Sequence, residues 1–176
     1  MKKQIFAGIG FVFFLTAIGF GVPKTEIRYQ TSDLGSGRWQ YSYDVTNISL
    51  TAPIEEFTIW FDFGLYKNLA IQTPDPPASN WNEIVIQPEP VLQDDGAYDA
   101  KALGLGIGIG QIVTGFAVSF DWLGDAVKPG PQFYEIIDPV TFETLDSGYT
   151  IPEPATLLIL TLGGLILPRM KQRERK

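Results

Sequence analysis

WQYSYDVTN, residues 39–47, alternates large apolar side chains with polar side chains at every second position. Successive side chains of an extended chain point to opposite faces, so a period of two places all the large side chains on one face. The sequence therefore predicts a half-buried β-strand in this segment. Its buried face is predicted to carry Trp39, Tyr41, Tyr43 and Val45.

The same period recurs through the middle of the chain. Residues 56–63 repeat it, with Trp60 predicted on the outer face. The inner face of that segment is predicted to carry Phe57, Ile59, Phe61 and Phe63. Further strands are predicted at residues 82–87, 112–122, 133–138 and 141–145. Because turn residues separate short alternating runs and no amphipathic helical pattern intervenes, the predicted fold is all-β, a single antiparallel β-sandwich.

The predicted sandwich occupies residues 22–150, a length typical of one domain. Six basic and eighteen acidic residues give this segment a net charge of −12. Such a field repels nucleic acid and keeps an exported protein in solution. We therefore expect no nucleic-acid partner.

The chain contains neither cysteine nor histidine. The domain must therefore be held together by burial, because no disulfide can form. The lack of histidine removes Ser-His-Asp and Cys-His catalytic arrangements and imidazole zinc sites. Glu55 and Glu56 do not form a catalytic pair, since neighbours on a strand point to opposite faces. We expect a protein that is not an enzyme and that uses no cofactor.

The N-terminal residues 1–21 have the composition of a secretory signal peptide. Lys2 and Lys3 are followed by an apolar run at residues 5–20, and Gly19 and Gly21 occupy small-residue positions for cleavage. The alternative is an uncleaved N-terminal membrane anchor, because neither glycine is the alanine that signal peptidases prefer. Either interpretation predicts export.

Residues 151–176, IPEPATLLILTLGGLILPRMKQRERK, divide into a Pro-Glu-Pro tripeptide, an apolar run and a basic end. The apolar run at residues 155–167 would span about 20 Å as a helix, which is short against a hydrocarbon core of about 30 Å. Glu153 belongs at the membrane interface, because an acid at membrane depth costs about 2.5 kcal/mol or more. The basic end consists of Arg169, Lys171, Arg173, Arg175 and Lys176.

The order of these zones and the PEPAT start resemble the C-terminal sorting signal of the PEP-CTERM proteins. The resemblance covers this tail only, and Pro168 departs from a plain apolar-to-basic transition. It implies processing by an exosortase-like membrane transpeptidase that recognises Pro152, Glu153 and Pro154, with residues 155–167 in the membrane and the basic end as a cytoplasmic stop. An ordinary single-span anchor is the alternative. Pro88-Glu89-Pro90 repeats the tripeptide without an apolar run, so it is interpreted as a loop.

Two stretches of unusual composition lie inside the predicted domain. Residues 73–90 hold five prolines and predict a long loop around Trp81, with a short strand at residues 83–87. Gly104, Gly106, Gly108 and Gly110 alternate with apolar residues, and this spacing does not fit a phosphate-binding glycine loop. The repeat predicts a strand or ribbon with one bare face, which packs closely on a sheet or forms a flexible edge, and a glycine-lined ligand face is the alternative.

Three features point to ligands or modification. Asp94, Asp95 and Asp99 are interpreted as solvated turn acids, with a calcium site as the alternative. Trp60 and Trp81 are expected to pack, with stacking on sugar rings as the alternative. The sequon at residues 47–49 matches the N-glycosylation pattern but receives little weight in a chain with a bacterial type of tail.

The sequence thus predicts an exported, non-enzymatic protein of the cell envelope, cell surface or extracellular matrix. It would be anchored transiently in the membrane, then sorted through its tail and associated with exopolysaccharide. A secreted carbohydrate- or calcium-binding module is one alternative. A carboxylate-dependent carbohydrate-active enzyme is the other.

Overall fold

The structure, a computed structural model, describes residues 23–154. The predicted signal peptide at 1–21, the apolar run at 155–167 and the basic end lie outside the described residues. Between residues 23 and 154 there is no helix with the length and apolar character needed to cross a membrane.

Ten strands form two five-stranded sheets. The first sheet has the order β10-β1-β2-β7-β4 and the second has the order β5-β6-β3-β8-β9. Neighbouring strands pair antiparallel, except that β10 pairs parallel to β1. The strands are β1 Thr25–Gly35, β2 Arg38–Asn47, β3 Glu56–Phe61, β4 Tyr66–Ile71, β5 Trp81–Ile86, β6 Gly96–Ala102, β7 Ile112–Trp122, β8 Phe133–Ile137, β9 Thr144–Tyr149 and β10 Ile151–Pro152. The predicted all-β sandwich is confirmed.

The alternating segment that predicted the fold becomes β2, near the centre of the first sheet. Tyr41, Tyr43 and Val45 are fully buried and Trp39 is partly buried, as its period of two predicted. β2 pairs with β1 on one side and β7 on the other. A central strand packs one whole face against the core, which explains why its pattern is so regular.

The core is unusually rich in aromatic rings, which surround Tyr41. The Tyr41 ring stacks on Phe120 at a centroid distance of 4.8 Å and meets Tyr29 edge-on at 5.3 Å. Its hydroxyl donates to the carbonyl of Gly130 at 2.6 Å and lies 3.1 Å from the hydroxyl of Tyr66. Buried phenols need such partners, and burial raises the pKa of Tyr41 far above its ordinary value.

Several strand boundaries differ from the prediction. β3 ends at Phe61, so the predicted inward position of Phe63 is wrong: this residue lies half-buried in a turn. The turn forms because the Asp62 carboxylate accepts the Gly64 N–H at 2.7 Å. β9 starts at Thr144 instead of residue 141, because Asp138 closes a turn by accepting nearby N–H groups.

The glycine repeat does not form the predicted strand or ribbon. Residues 103–111 form an irregular loop, joined to the sandwich by a bridge between Ile54 and Ile107. Gly106 and Gly110 adopt φ values of 68° and 74°, a left-handed conformation that interrupts an extended chain. The close packing was predicted correctly at Gly106, where a Cβ would collide with the carbonyl of Ile54.

The sequon asparagine belongs to this loop junction. Asn47 is fully buried, and its amide donates to the carbonyls of Ala52 at 3.1 Å and Ile107 at 3.0 Å. Its side-chain oxygen accepts the Leu50 N–H at 2.9 Å. Asn47 is therefore a structural residue that joins two loops.

Candidate functional site

The Pro-Glu-Pro tripeptide of the tail begins inside the first sheet. β10 lies beside β1, with Ile151 opposite Arg28 and Pro152 opposite Tyr29. The Glu153 N–H extends this pairing by donating to the carbonyl of Tyr29 at 2.9 Å. Proline lacks an N–H and is tolerated in sheets at edge strands, which is the position that β10 occupies. The sheet thus continues two residues beyond the predicted boundary at 150.

Pro152 and Pro154 are exposed, whereas Glu153 between them is half-buried. The Gln30 amide lies 3.4 Å from the Glu153 carboxylate. Burial raises the pKa of Glu153, the Asp44 carboxylate on β2 raises it further, and Arg28 on the adjacent strand β1 acts in the opposite direction. The tripeptide therefore presents one exposed proline ring on each side of an acid that contacts the sheet.

A buried network holds the chain where it enters β10. Thr150 N donates to the carbonyl of Gln132 at 2.8 Å, and Gln132 N donates to the Thr150 hydroxyl at 2.9 Å. The Gln132 amide donates in turn to the Tyr66 hydroxyl at 3.1 Å, and the Tyr43 hydroxyl donates to its side-chain oxygen at 3.3 Å. Since such satisfied networks are rigid, the position of β10 is fixed by the core.

The internal copy, Pro88-Glu89-Pro90, lies in a loop between β5 and β6, as predicted. Glu89 and Asp94 exchange two main-chain hydrogen bonds, at 2.9 and 3.2 Å. The Glu89 carboxylate accepts the Val91 N–H at 3.1 Å. This copy is closed on itself and leads directly into the next strand.

The three aspartates that follow have separate structural partners. Asp99 lies on β6, not in a turn, and accepts the Thr58 hydroxyl at 2.8 Å. Burial raises its pKa. The Asp95 carboxylate accepts the Phe63 N–H at 3.0 Å, whereas Asp94 pairs through its main chain. In the part of the chain that the structure describes, no three acids converge in a way that would hold a metal ion.

The two candidate sugar-stacking tryptophans lie in different environments. Trp60 is on the outer face of β3, as predicted, and its indole N–H donates to Glu135 at 3.0 Å. Trp81 begins β5, with 6% of its surface exposed. Its ring packs against Phe116 at 5.1 Å and Phe57 at 5.8 Å, so it is a core residue.

Glu55 and Glu56 also have separate roles. The Glu55 carbonyl accepts the Ala102 N–H at 2.7 Å, and the Glu56 carboxylate lies 3.8 Å from the Lys101 ammonium. Burial raises the pKa of Glu56, and the negative charge of Asp99 raises it further.

A cleft of about 520 Å³ opens between two loops. One is the proline-rich loop at residues 72–80, and the other is the glycine loop at residues 103–111. Trp81 and Ala102 lie at its base, and none of its lining residues is charged. Gly104 and Gly106 line the cleft, which is the glycine-lined face that the sequence offered as an alternative, but its opposite wall comes from a loop that is distant in sequence. Its walls are formed by Pro76, Pro77, Asn80, residues 103–106 and residues 112–114.

No family model matches this chain, and no curated protein matches it. Solved structures that are similar to this chain over about three quarters of its length include an enzyme and two structures with cohesin modules. An exo-β-N-acetylglucosaminidase from Vibrio harveyi has a TM-score of 0.40 and 11% identity over 74% of this chain, which spans 18% of the enzyme's length. A cohesin–dockerin complex from Clostridium thermocellum matches with a TM-score of 0.39 and 18% identity over 73% of this chain and 99% of the other. A cohesin module of a family 33 glycoside hydrolase from Clostridium perfringens matches with a TM-score of 0.42 and 9% identity, over 74% of this chain and 98% of the module.

Proposed function

We propose that this protein is an exported, non-enzymatic envelope or matrix module that an exosortase-like membrane transpeptidase processes at the tail. The observation that carries the proposal is the position of the tripeptide. Pro152-Glu153-Pro154 leaves the sandwich as an extended edge segment, and the apolar run starts at the next residue. A membrane enzyme would find its recognition element beside the bilayer.

The extended conformation suits recognition of this kind. Enzymes and domains that recognise short peptides commonly bind them in an extended conformation, with alternate side chains in pockets. Pro152 and Pro154 are alternate residues, and both are exposed. Recognition of both rings therefore requires little rearrangement of the folded domain, although the enzyme must displace Glu153 from β1 to surround the tripeptide.

The remaining domain supplies a compact, acidic cargo. Its net charge of −12 over residues 22–150 favours solubility in a hydrated, polymer-rich layer outside the cell. A delivered structural module needs such a surface, and exopolysaccharide is the partner class that we propose for it.

The uncharged cleft favours a second candidate function, binding of a neutral ligand such as an uncharged saccharide. Its volume lies in the range of small-molecule sites. Titration of neutral oligosaccharides should change the fluorescence of Trp81, which lines the cleft, and Thr114→Arg should abolish the change by filling the cleft with a charge. If the signal is the same in the variant, the ligand binds elsewhere.

The main test is the intact mass of the mature protein from its native host. We expect a species that lacks the residues beyond about position 155. Replacing Pro152, Glu153 and Pro154 with alanine should leave full-length protein in the inner membrane, because export and the basic stop remain while recognition is lost.

The matched control replaces Pro88, Glu89 and Pro90 with alanine. Processing should be unchanged, because this copy lies in a closed loop and has no apolar run after it. The proposal fails if the mature protein retains residues 169–176, or if the alanine tail is processed normally.

A further inference from the structure

One end of the sandwich carries exposed apolar side chains at the end of β1 and on two loops, and we name it the apolar end. It is the end at which β1 finishes and β2 begins. The loops are neighbours, since Trp122 N donates to the carbonyl of Gly37 at 2.9 Å and Leu123 N donates to that of Leu65 at 2.9 Å. The exposed side chains are Leu34, Leu65, Leu123 and Val127.

These side chains are well exposed: Val127 by 96% and Leu34 by 53%. A single exposed apolar residue is normal on a protein surface, whereas several on adjacent loops indicate a contact surface. Loop tips have little influence on how the core packs. The apolar end is therefore free to serve an external contact.

The direction in which the chain leaves the sandwich identifies that contact. β10 runs parallel to β1, so the chain beyond Pro152 heads from Thr25 toward Gly35. The hydrogen bond from Glu153 to Tyr29 maintains this direction. The tail thus leaves the first sheet toward the apolar end.

No linker separates the sandwich from the tail. Only Glu153 and Pro154 lie between the last residue of β10 and the apolar run at residues 155–167. Along β1, Leu34 lies four residues beyond Gln30, the residue that contacts Glu153, which corresponds to about 13 Å. A tail that enters a bilayer in the direction of β10 therefore brings the apolar end to the bilayer surface.

The charges at this end are mixed, with Asp125 and Lys128 in the same loop as Val127, and they favour apolar insertion over attraction to anionic headgroups. The carboxylates of Asp33 and Asp62 accept N–H groups of their own turns, each at 2.7 Å. Asp121 is paired with Arg38 at 3.0 Å. The domain as a whole is strongly acidic, so a contact with lipid must depend on the leucine and valine side chains.

We propose that the apolar end is a membrane-contact surface, which inserts Leu34 and Val127 into the headgroup–acyl boundary of the bilayer while the tail anchors the chain. This inference rests on the proposed function, because it requires residues 155–167 to lie in the membrane. It holds the sandwich in one orientation on the bilayer, with Pro152-Glu153-Pro154 at the interface where a membrane-embedded enzyme acts.

The test uses the full chain reconstituted in phosphatidylcholine vesicles. Because the chain has no cysteine, Leu34→Cys, Val127→Cys, Leu105→Cys and Leu160→Cys each accept one fluorescent label. Leu105 is the matched control, being 91% exposed on the glycine loop at the opposite end of β7. Leu160 lies in the apolar run and reports insertion of the tail.

We expect nitroxide-bearing lipids to quench the labels at 34, 127 and 160 at least about two-fold more than the label at 105. The label at 105 should be quenched by iodide in the water instead. High salt should change none of these values, because the contact is apolar.

Two results would overturn the inference. If the label at 160 is quenched by lipid but those at 34 and 127 behave like that at 105, the tail is inserted and the apolar end does not touch the bilayer. If 34 and 127 are shielded from iodide without vesicles, the tail covers these side chains instead. A label at 160 that lipid does not quench would contradict the proposed function itself.

Discussion

Two Pro-Glu-Pro tripeptides in this chain have the same composition and different structural settings. Residues 88–90 lie in a loop that Asp94 closes through two main-chain hydrogen bonds to Glu89. Residues 152–154 follow the edge of a sheet, with one side pairing with β1 and the other side open. The comparison teaches that the tripeptide alone does not determine accessibility, because the following residues decide whether the chain returns to the fold or leaves it.

The difference extends to how each copy packs. Gly96 lies so close to Pro88 that a Cβ at this position would be 2.6 Å from the proline ring and 2.9 Å from the carbonyl of Ile86. The first copy thus packs directly on the start of β6 through the Pro88 ring. The second copy is held by Thr150 and Gln132 upstream and is exposed at both prolines.

Gly96→Ala should give the largest effect on stability, because it disrupts the packing that distinguishes the first copy. The new methyl group overlaps the Pro88 ring, and such overpacking typically costs about 1–3 kcal/mol of unfolding free energy. Urea unfolding of a protein comprising residues 22–154, followed by far-UV circular dichroism, measures the loss. Gly104→Ala is the matched control, since nothing lies within 4 Å of a Cβ there and the φ is ordinary. Equal stability of the two variants would show that the contact between Gly96 and the Pro88 ring does not stabilise the fold.

Removing residues 151–154 tests whether the second copy belongs to the fold. We expect an intermediate effect on stability. Proteins ending at Thr150 and at Pro154 should both have β-type circular dichroism. The shorter protein loses the edge pairing and the bond from Glu153 N to Tyr29 O. Exposed hydrogen bonds of this kind contribute about 1 kcal/mol in total, so the melting temperature should fall by roughly 3–6 °C. Identical melting temperatures would show that the pairing of the tripeptide with β1 contributes nothing to the stability of the domain.

The alternating pattern predicted β2 and β3, which pack one face in the core, and also β5 and β9, which are largely exposed. β2 alternates without exception because its inner residues meet the core along the strand. β6 was missed because Gly96 and Asp99 resemble turn residues, whereas in the sheet the glycine admits Pro88 and the aspartate has Thr58 as a partner. Tertiary contacts overrode local preference in both cases.

The candidate site was predictable in composition but not in position. The tail's zones can be identified from the order of residues alone. The pairing of Ile151 with Arg28 depends on strands more than 120 residues apart, and no local pattern encodes such a contact. The complete cleft lined by Trp81 could not be predicted for the same reason, since its walls come from separate loops.

The smallest effect should come from Glu153→Gln, which tests the electrostatics of the second copy. In the folded protein burial and the neighbouring Asp44 raise the pKa of Glu153, so folding disfavours its charged form. Below the ordinary pKa the carboxyl is protonated whether the chain is folded or not, and no penalty applies. As the pH rises through the folded-state pKa the penalty develops fully, so the wild type loses stability relative to the variant. Because the side chain is only half-buried and solvent screens its charge, the gain in the variant near pH 7 should be only a few tenths of a kcal/mol. Urea unfolding at about pH 4 and pH 7 measures it, and in an Asp44→Asn background the gain should shrink, since the repelling charge is gone. A gain of the same size at both pH values would show that the effect of the substitution is not electrostatic, and the half-buried acid would then differ from Glu89 in its packing alone.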